Sequence, residues 1–318
     1  MRWSSYLKVH VPYALMTHKS AFVSIVGRPN TGKSTLINAL VGEKVAITSH
    51  HPNTTRGAIR GIITEPDFQL VLVDTPGLHK PKTTLGSALN QVVSESIGDV
   101  DIIIQCIPAI EAVGDGDLYI AKQISTFKST IKICVVTMID MGKENELPQQ
   151  LIAASELAKR AGFVWDEIVP VSAFTDTQIG LLIKLLAKHA KEGPAFYPAE
   201  MRSDQELELT ISELIREAVI AELFEEVPHS IAVVIDDLSK REERELFDIH
   251  ASIIVERDSQ KGIIIGSKGA HLKDIGTRAR KEIEKKLNSK VFLALHVKVI
   301  PNWQSDPKAL SKLGLLNN

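Results

Sequence analysis

Two patterns of hydrophobic and polar residues alternate along the first part of this 318-residue chain. Short apolar runs, typical of buried strands, are separated by longer stretches with helical periodicity. Strands that alternate with helices in this way favour an α/β fold with a doubly wound, mostly parallel sheet. The predicted strands cover residues 21–26, 59–64, 69–73, 101–107, 131–136 and 168–171, and the predicted helices cover residues 35–41, 85–97, 118–125, 151–161 and 179–191.

The pattern changes after residue 191, where Glu192–Pro198 contains one glycine and two prolines. Such a segment ends the alternation and indicates a linker. Beyond it the chain predicts an α+β unit: a helix at 205–224, strands at 230–236 and 246–256, a glycine-bearing loop, a basic helix to 287 and a strand at 291–300. The predicted units are an N-terminal extension (1–20, with Met16 as an alternative start), a first domain (21–191), a linker (192–204), a second domain (205–300) and a C-terminal tail (301–318).

The loop after the first predicted strand carries the strongest chemical signal. Residues 27–34, Gly-Arg-Pro-Asn-Thr-Gly-Lys-Ser, fit the phosphate-binding pattern GxxxxGK[ST] between a strand and a helix. In this motif backbone N–H groups surround the phosphates, Lys33 adds a positive charge and Ser34 is left to bind Mg²⁺. We therefore expect the chain to bind a nucleoside triphosphate. The candidate contacts are Gly27, Arg28, Pro29, Asn30, Thr31, Gly32, Lys33, Ser34 and Thr35.

Two further loops are expected to complete the phosphate and metal site. Asp74–Gly77 follows a predicted strand and fits DxxG, in which the Asp holds Mg²⁺ through water and the Gly N–H senses the γ-phosphate. The polar segment Pro52–Arg56 offers threonine hydroxyls, and Thr55 is favoured over Thr54 as a metal ligand. The candidate metal ligands are Ser34, Thr55 and Asp74, and the further candidate nucleotide contacts are Thr75, Pro76, Gly77 and Leu78.

These motifs and their order resemble the Era family of GTPases. The resemblance rests on Gly27–Asn30, Thr54–Arg56 and Asp74–Pro81, continues at Val255–Gly262 and reaches Asn302–Trp303, so it covers nearly the whole chain. It implies a cytoplasmic bacterial GTPase that converts GTP to GDP and phosphate, binds the 3′ end of 16S rRNA and assists assembly of the 30S subunit. Mg²⁺ is the implied cofactor and K⁺ a second ion. A monomeric state and a peripheral contact with the cytoplasmic face of the membrane are further expectations.

The guanine-recognition motif departs from the usual GTPase pattern. GTPases recognise guanine with NKxD after a strand, whereas residues 137–140 are Thr-Met-Ile-Asp. Asp140 keeps two charge-assisted contacts, to guanine N1–H and N2–H₂, that adenine does not offer. Thr137 has a hydroxyl in place of an amide, and a lost or strained buried hydrogen bond costs about 1–3 kcal/mol. We expect weaker binding with guanine preference kept, and Met138 lying on the base. The remaining candidates in this pocket are Ser172 and Ala173, the latter through its N–H to guanine O6.

Hydrolysis is expected to be slow. Ras-type enzymes place a water-orienting glutamine after the DxxG glycine, and here that position is Leu78. Its apolar side chain cannot orient water, so intrinsic turnover should be about 10⁻⁴ to 10⁻² s⁻¹. By resemblance, Asn30 corresponds to the residue that holds K⁺ near the phosphates in relatives, and a simple turn residue is an equal alternative. The candidate catalytic residues are Asn30, Lys33, Thr55 and Gly77.

A GxxG loop lies in the second predicted domain. Gly266–Gly269 follows the apolar run Ile263–Ile265, interpreted as a strand, and precedes a helix rich in Lys and Arg. In this context GxxG favours a KH module, whose loop lets the backbone approach about four nucleotides. The expected fold is thus a P-loop NTPase domain followed by an α+β KH-type RNA-binding domain, with Trp303 as a packing anchor. The candidate RNA contacts are Ile263, Ile264, Ile265, Gly266, Ser267, Lys268, Gly269, Lys273, Arg278, Arg280 and Lys281.

Charge and composition narrow the classes of function. The net charge of −2 conceals an acidic stretch at 200–248 and a basic one at 261–298, which supports a nucleic-acid surface. Cys106 and Cys134 fall in predicted buried strands and fit a reducing cytosol. No apolar stretch approaches the roughly 20 residues of a membrane span.

Two alternatives stay open besides an RNA-binding GTPase. One is an ATP-dependent P-loop enzyme with a nucleic-acid module, and Asp140 argues against it because its carboxylate suits guanine. The other is an RNA-binding protein with a degenerate nucleotide domain. The full set of Ser34, Thr55 and Asp74 argues against that second alternative, since a scaffold needs no Mg²⁺ ligands.

Overall fold

The computed structural model describes residues 18–48, 59–74, 100–143, 146–222, 231–241 and 245–313. The predicted helix at 85–97 lies outside these residues. The first domain consists of β1 (Lys19–Val26), α1 (Lys33–Val41), β2 (Ile59–Thr64), β3 (Phe68–Asp74), β4 (Ile102–Pro108), α2 (Asp115–Ile124), β5 (Ile131–Thr137), α3 (Leu147–Ala161), β6 (Glu167–Pro170), α4 (Ile179–His189) and β7 (Lys191–Glu192).

These strands form one sheet in the order β2-β3-β1-β4-β5-β6. All neighbours pair in parallel except β2, which is antiparallel to β3, and the short β7 adds an antiparallel pair at the start of β1. Apolar residues of α1 and α4 pack on one side, and those of α2 and α3 form a second cluster on the other. The predicted doubly wound sheet is confirmed. Because the carboxyl ends of parallel strands share one edge, the loops after β1, β3, β5 and β6 meet there.

The segment predicted as a linker is fastened to the first domain. The buried amide of Gln69 donates to the carbonyl of Tyr197 at 2.8 Å and accepts from the N–H of Phe196 at 2.7 Å. Ile62 N–H donates to the carbonyl of Arg202 at 2.8 Å, and the Phe22 and Phe196 rings lie 4.8 Å apart. This segment therefore adds to the surface of the sheet before the chain enters the second domain.

The second domain has the order helix, two strands, two helices and a strand. It consists of α5 (Leu207–Ile220), β8 (Ala232–Arg241), β9 (Leu246–Val255), α6 (Asp258–Ile265), α7 (Ala270–Leu287) and β10 (Lys290–Val299), followed by α8 (Pro307–Lys312). The central strand β9 pairs antiparallel with β8 and parallel with β10. Residues such as Ile215, Ile275 and Ile283 pack the helices on one face of this sheet. The predicted α+β class is confirmed.

One element of this domain was predicted wrongly. Ile263–Ile265 ends helix α6 and is not a strand. A three-residue apolar run does not distinguish helix from strand, and the start of the helix decides here. The side chain of Gln260 accepts from the N–H groups of Glu256 and Arg257 at 2.9 and 3.0 Å, which satisfies donors at the helix N-terminus.

The segment after β10 packs on the other face of the small sheet. Trp303 is fully buried and clusters with Leu310 of α8 against Ala232 and Ile254. The prediction that Trp303 is a packing anchor is confirmed. Part of this outer face is therefore covered by the protein itself.

Candidate nucleotide site and RNA groove

The phosphate loop connects β1 to α1 and depends on two glycines. A Cβ on Gly27 would lie 2.6 Å from the Thr31 hydroxyl and 2.9 Å from the carbonyl of Cys106. Gly32 has a φ of 79°, in the left-handed region that favours glycine. Its carbonyl accepts from the N–H of Leu36 at 2.8 Å and so begins the helix. The loop therefore has the tight turn into a helix N-terminus that phosphate binding requires.

Lys33 lies inside this loop. Its ammonium donates to the carbonyls of Gly27 and Arg28 at 3.2 and 2.7 Å, and the side chain is buried. Burial lowers the pKa of Lys33, and the nearby carboxylate of Asp74 opposes that shift. A buried cation with two carbonyl partners is costly, and an incoming phosphate would stabilise its charge.

The two described metal candidates lie together. The Ser34 hydroxyl donates to Oδ2 of Asp74 at 2.9 Å, across 40 positions of sequence. Ser34 lies in the first turn of α1 and Asp74 ends β3, so adjacent strands β1 and β3 place them side by side. One hydroxyl and one fully buried carboxylate are oxygen ligands of the type that Mg²⁺ prefers. The donor set fits a magnesium ion beside the phosphates.

The Arg28 side chain is directed away from the phosphate loop. Its guanidinium contacts the buried carboxylate of Asp117 at 2.8 Å and Glu111 at 3.0 Å. A Cβ on Gly116 would lie 2.7 Å from Cδ of Arg28, so the glycine leaves room on α2 for the aliphatic part of the Arg28 side chain. Arg28 therefore ties the loop to α2 through its guanidinium.

Both residues that depart from NKxD contact the phosphate loop. The buried Thr137 hydroxyl donates to the carbonyl of Thr31 at 2.9 Å. The methyl of Met138 lies 3.3 Å from where a Cβ on Gly32 would be, and Met138 has a left-handed φ of 60°. The Thr137 hydroxyl therefore has a well-placed acceptor in the phosphate loop. The weaker guanine binding expected from the sequence stays a prediction.

The remaining guanine candidates lie at the ends of β5 and β6. Asp140 is exposed beyond Met138, and Ile139 N–H donates to the carbonyl of Val171 at 3.4 Å. Ser172 is buried, and its hydroxyl accepts from Thr175 N–H at 3.1 Å, which shapes the loop that carries the half-buried Ala173. The structure thus brings these loops to the edge that holds the phosphate loop. Of the other candidates, Pro29 is half-buried, Asn30 and Thr35 are exposed, and Thr55, Thr75, Pro76, Gly77 and Leu78 lie outside the described residues.

The GxxG loop connects α6 to α7. Gly266 and Gly269 have φ values of 68° and 79°, and Lys268 between them has a φ of 49°. A Cβ on Gly266 would lie 2.6 Å from the ring of His271, which contacts the carbonyl of Ile263 at 3.0 Å. Both glycines are therefore required by the backbone, and Ser267 and Lys268 project into solvent.

An open groove of about 470 Å³ runs from this loop along α7 and β10. Leu293 and Leu295 of β10 form an apolar side, and Lys273 and Arg280 of α7 supply positive charge. Gly276 faces Leu295, so the absence of a side chain keeps the groove open. The lining residues are Gly269, Leu272, Lys273, Gly276, Thr277, Arg280, Leu293 and Leu295. Sequence reasoning missed five of these residues: Leu272, Gly276, Thr277, Leu293 and Leu295. Their spacing on one helix face and one strand face was the available signal.

Other predicted RNA contacts lie away from the groove. Ile264 lies on helix α6, and its side chain is fully buried in the core of the second domain. It is therefore not available to contact RNA bases. Arg278 forms an ion pair with Glu222. Ile263 and Lys281 are exposed but do not line the groove, and Ile265 is half-buried.

A polar junction joins the two domains and was not predicted. The Glu217 carboxylate accepts from Lys44 Nζ at 2.5 Å and from Thr48 N–H at 3.0 Å, and Lys286 Nζ donates to Glu43 at 2.6 Å. A cavity of about 390 Å³ lies at this junction. Residues 43–48 directly precede the segment that carries Thr55, so the junction includes the part of the chain that leads to a predicted metal ligand.

The thiols of Cys106 and Cys134 are buried in an environment that makes them unreactive. Burial raises the pKa of Cys106 to about 12 and that of Cys134 well above its usual value. Neither thiol is a nucleophile near neutral pH. Among the helices that the structure describes, none combines the length and apolar character needed to cross a bilayer.

Comparison with known protein families identifies the class of both domains. Residues 22–139 match the family model described as 50S ribosome-binding GTPase, and residues 226–304 match that of the KH domain. Together with the phosphate loop and the groove, these matches define a GTPase with an appended KH RNA-binding domain. The chain binds GTP and hydrolyses it.

Comparison with individual proteins identifies the family. GTPase Era of Streptomyces coelicolor is 51% identical over 301 residues, covering 93% of this chain and 95% of that protein. GTPase Era of Mycobacterium avium is 53% identical over 298 residues, covering 93% and 98%. The chain belongs to the Era family.

Two solved Era structures are similar along the whole fold. A complex of Era with MgGDPNP and nucleotides 1506–1542 of 16S ribosomal RNA superposes with a TM-score of 0.89 at 35% identity, covering 94% of this chain and 100% of that one. A point variant of Aquifex aeolicus Era bound to GDP and AlF₄⁻ gives a TM-score of 0.88 at 34% identity and the same coverage.

Proposed function

We propose that this GTPase binds the 3′ end of 16S rRNA through its KH groove under control of the bound nucleotide, and that it assists assembly of the 30S subunit. The observation that carries the proposal is the groove itself, with leucines on one side and Lys273 and Arg280 on the other, next to a GxxG loop. The similar Era structure in complex with 16S rRNA nucleotides supports the choice of RNA.

The groove suits a single strand. Leu293 and Leu295 offer apolar contact to unstacked bases, while the glycine loop and the cations of α7 approach the sugar-phosphate backbone. The residues lining the groove include no aromatic side chain, so extensive base stacking is not expected. Specificity would then come from hydrogen bonds to base edges along the groove.

The nucleotide site is proposed to require Mg²⁺. Ser34 and Asp74 would hold the ion, and when bound it would neutralise the charge that develops on the phosphates. Lys33 supplies a second positive charge, and the helix N-terminus of α1 orients N–H groups toward the phosphates. Thr55 as a ligand, Gly77 as the γ-phosphate sensor, and K⁺ beside Asn30 stay predictions, as do the cytoplasmic location, the membrane contact and the monomeric state.

A binding assay on the full chain tests the proposal. A labelled oligonucleotide with the 16S 3′-end sequence, and a scrambled one of equal composition, are titrated with protein loaded with a non-hydrolysable GTP analogue. We expect tighter binding of the authentic sequence and a salt dependence that falls by about one phosphate contact in Lys273→Ala. Lys122→Ala, an exposed cation on α2, is the matched control and should match wild type. Equal affinity for both oligonucleotides would contradict the proposal.

A further inference from the structure

Thr137 stands where GTPases carry the asparagine of NKxD, and its hydroxyl proton is already in use. The side chain is 4% exposed, and Oγ1 donates to the carbonyl of Thr31 at 2.9 Å. The carbonyl of Ile107 lies at 3.4 Å and is a poorer acceptor. Both nearby partners are carbonyl oxygens, which accept only. A threonine hydroxyl has a single proton to donate, so that proton is directed at the main chain.

This arrangement limits what Thr137 can recognise on a purine. One edge of guanine presents two hydrogen-bond acceptors, O6 and N7, so a protein group that recognises this edge must donate. An asparagine amide has two N–H donors, enough for one contact to the loop and one to the base. Thr137 has one donor, so it can hold the phosphate loop or donate to N7, but not both.

The position of Met138 also indicates that residues 137 and 138 hold the phosphate loop and do not contact the base. Its methyl group lies against Gly32, at 3.3 Å from the position of a Cβ there. A thioether is at best a weak acceptor and has no donor. Both substituted side chains therefore contact the turn of residues 31 and 32, and neither has a free donor for a base.

We infer that Thr137 is a positioning residue for the phosphate loop and takes no part in base recognition, so that this GTPase does not sense purine N7 from position 137. Guanine specificity then depends on Asp140, through N1–H and N2–H₂, and on main-chain donors such as Ala173 N–H. The inference concerns the nucleotide site alone, and it stands or falls independently of RNA binding.

Affinities for GDP and 7-deaza-GDP, which lacks the N7 acceptor, test this assignment. Thr137→Val keeps the shape and removes the hydroxyl, and Thr137→Ser keeps the hydroxyl. We expect Thr137→Val to weaken binding of both nucleotides by the same factor, about 5- to 100-fold, because the loop loses its tether. Thr137→Ser should restore both affinities to within about threefold of wild type, as expected if the hydroxyl alone matters.

Two readouts separate positioning from general destabilisation. The ³¹P resonance of the β-phosphate of bound GDP should move in Thr137→Val and return in Thr137→Ser, and thermal unfolding of the nucleotide-free proteins identifies a variant that has lost its fold. If Thr137→Val does not fold, the test is the ratio of the dissociation constants for 7-deaza-GDP and GDP, measured in wild type and in Thr137→Ser. A ratio near one in both supports the inference.

Three results would overturn it. Thr137→Val could weaken GDP while leaving 7-deaza-GDP unchanged, which would show direct donation to N7. It could leave both affinities and the ³¹P resonance unchanged, which would remove the positioning role. Where Thr137→Val does not fold, discrimination against 7-deaza-GDP in both wild type and Thr137→Ser would also contradict the inference, because both proteins carry the hydroxyl.

Discussion

Replacing Glu217 by alanine tests whether the two domains communicate through their junction. Glu217 lies on α5, is 15% exposed, and accepts from Lys44 Nζ at 2.5 Å, from Thr48 N–H at 3.0 Å and from the Thr48 hydroxyl at 3.3 Å. Residue 48 is followed by the segment that carries Thr55. A change in the nucleotide that moves this segment would pull on α5 through Glu217.

The cost of the substitution follows from these contacts. Leaving the part-buried Thr48 N–H without its acceptor costs about 1–3 kcal/mol. The Lys44 side chain is 37% exposed, so its ion pair contributes about 1 kcal/mol or less. Glu217→Ala should therefore lower the free energy of unfolding by about 1–4 kcal/mol. Glu217→Gln keeps an acceptor for Thr48 and should lose about 1 kcal/mol or less.

The assay measures the dissociation constant for the 16S 3′-end oligonucleotide with a non-hydrolysable GTP analogue and with GDP. A coupling of about 1–3 kcal/mol makes the wild-type ratio of the two constants roughly 5- to 150-fold. We expect this ratio to fall toward one in Glu217→Ala and to stay closer to wild type in Glu217→Gln. By reciprocity, saturating RNA should raise the affinity for the GTP analogue relative to that for GDP by the same wild-type factor.

The control is Glu208→Ala, which removes an exposed carboxylate from the first turn of the same helix. It should leave the ratio unchanged. A folded Glu217→Ala protein with the full wild-type ratio would refute communication through this junction. Equal constants in wild type would refute coupling of the domains altogether.

Three further predictions concern the two sites. Gly276→Leu should block the groove and abolish RNA binding in the filter assay, while Gly276→Ala should keep binding and stabilise α7 by about 0.4–1 kcal/mol in thermal unfolding, since a Cβ there meets only Leu295 at 3.6 Å. Gly269→Asp should abolish RNA binding with RNA-free GTP hydrolysis intact, because it places a side chain at φ 79° and a negative charge in the loop; wild-type RNA affinity would exclude the loop. Asp140→Asn should remove the preference for GTP over xanthosine triphosphate in competition binding, and unchanged relative affinities would contradict recognition by Asp140.

The sheet and the phosphate loop were accessible from sequence because local rules determine them. Predicted and observed strands agree closely, as at Ile59–Thr64, because long buried runs flanked by helices leave few alternatives. The motif 27–34 combines glycine geometry with a helix start, and both are local properties. The pairing of Ser34 with Asp74 also followed, since it needs only adjacent strands.

The error at Ile263–Ile265 and two contacts that were not predicted arose where distant residues decide. Ile263–Ile265 is helical because Gln260 caps the helix and Ile264 packs in the core, and a three-residue run does not carry that information. The turn of Arg28 toward Asp117 depends on α2, 89 positions away. The contact of the Thr137 hydroxyl with the carbonyl of Thr31 joins residues 106 positions apart, and the sequence did not reveal it. Departures from a motif are therefore best judged by what the substituted atoms contact.

The charge asymmetry of the second domain has a structural explanation in helix α7. Its groove face carries Lys273, Gly276 and Arg280, and its core face carries Ile275, Ala279 and Ile283. A third face, at four-residue intervals, contacts acids or bases of other elements: Arg278 pairs with Glu222, Glu282 with Lys44, and Lys286 with Glu43. Side chains three to four positions apart share one side of a helix, so each set acts as a row. A shift of residues 43–48 on nucleotide exchange would displace this third row, and because α7 is one continuous helix the groove row would move with it. Of these partners Glu222 belongs to the acidic stretch at 200–248, whereas Glu43 and Lys44 belong to the first domain. The two pairs with the first domain are therefore the contacts through which nucleotide exchange would act on the RNA groove.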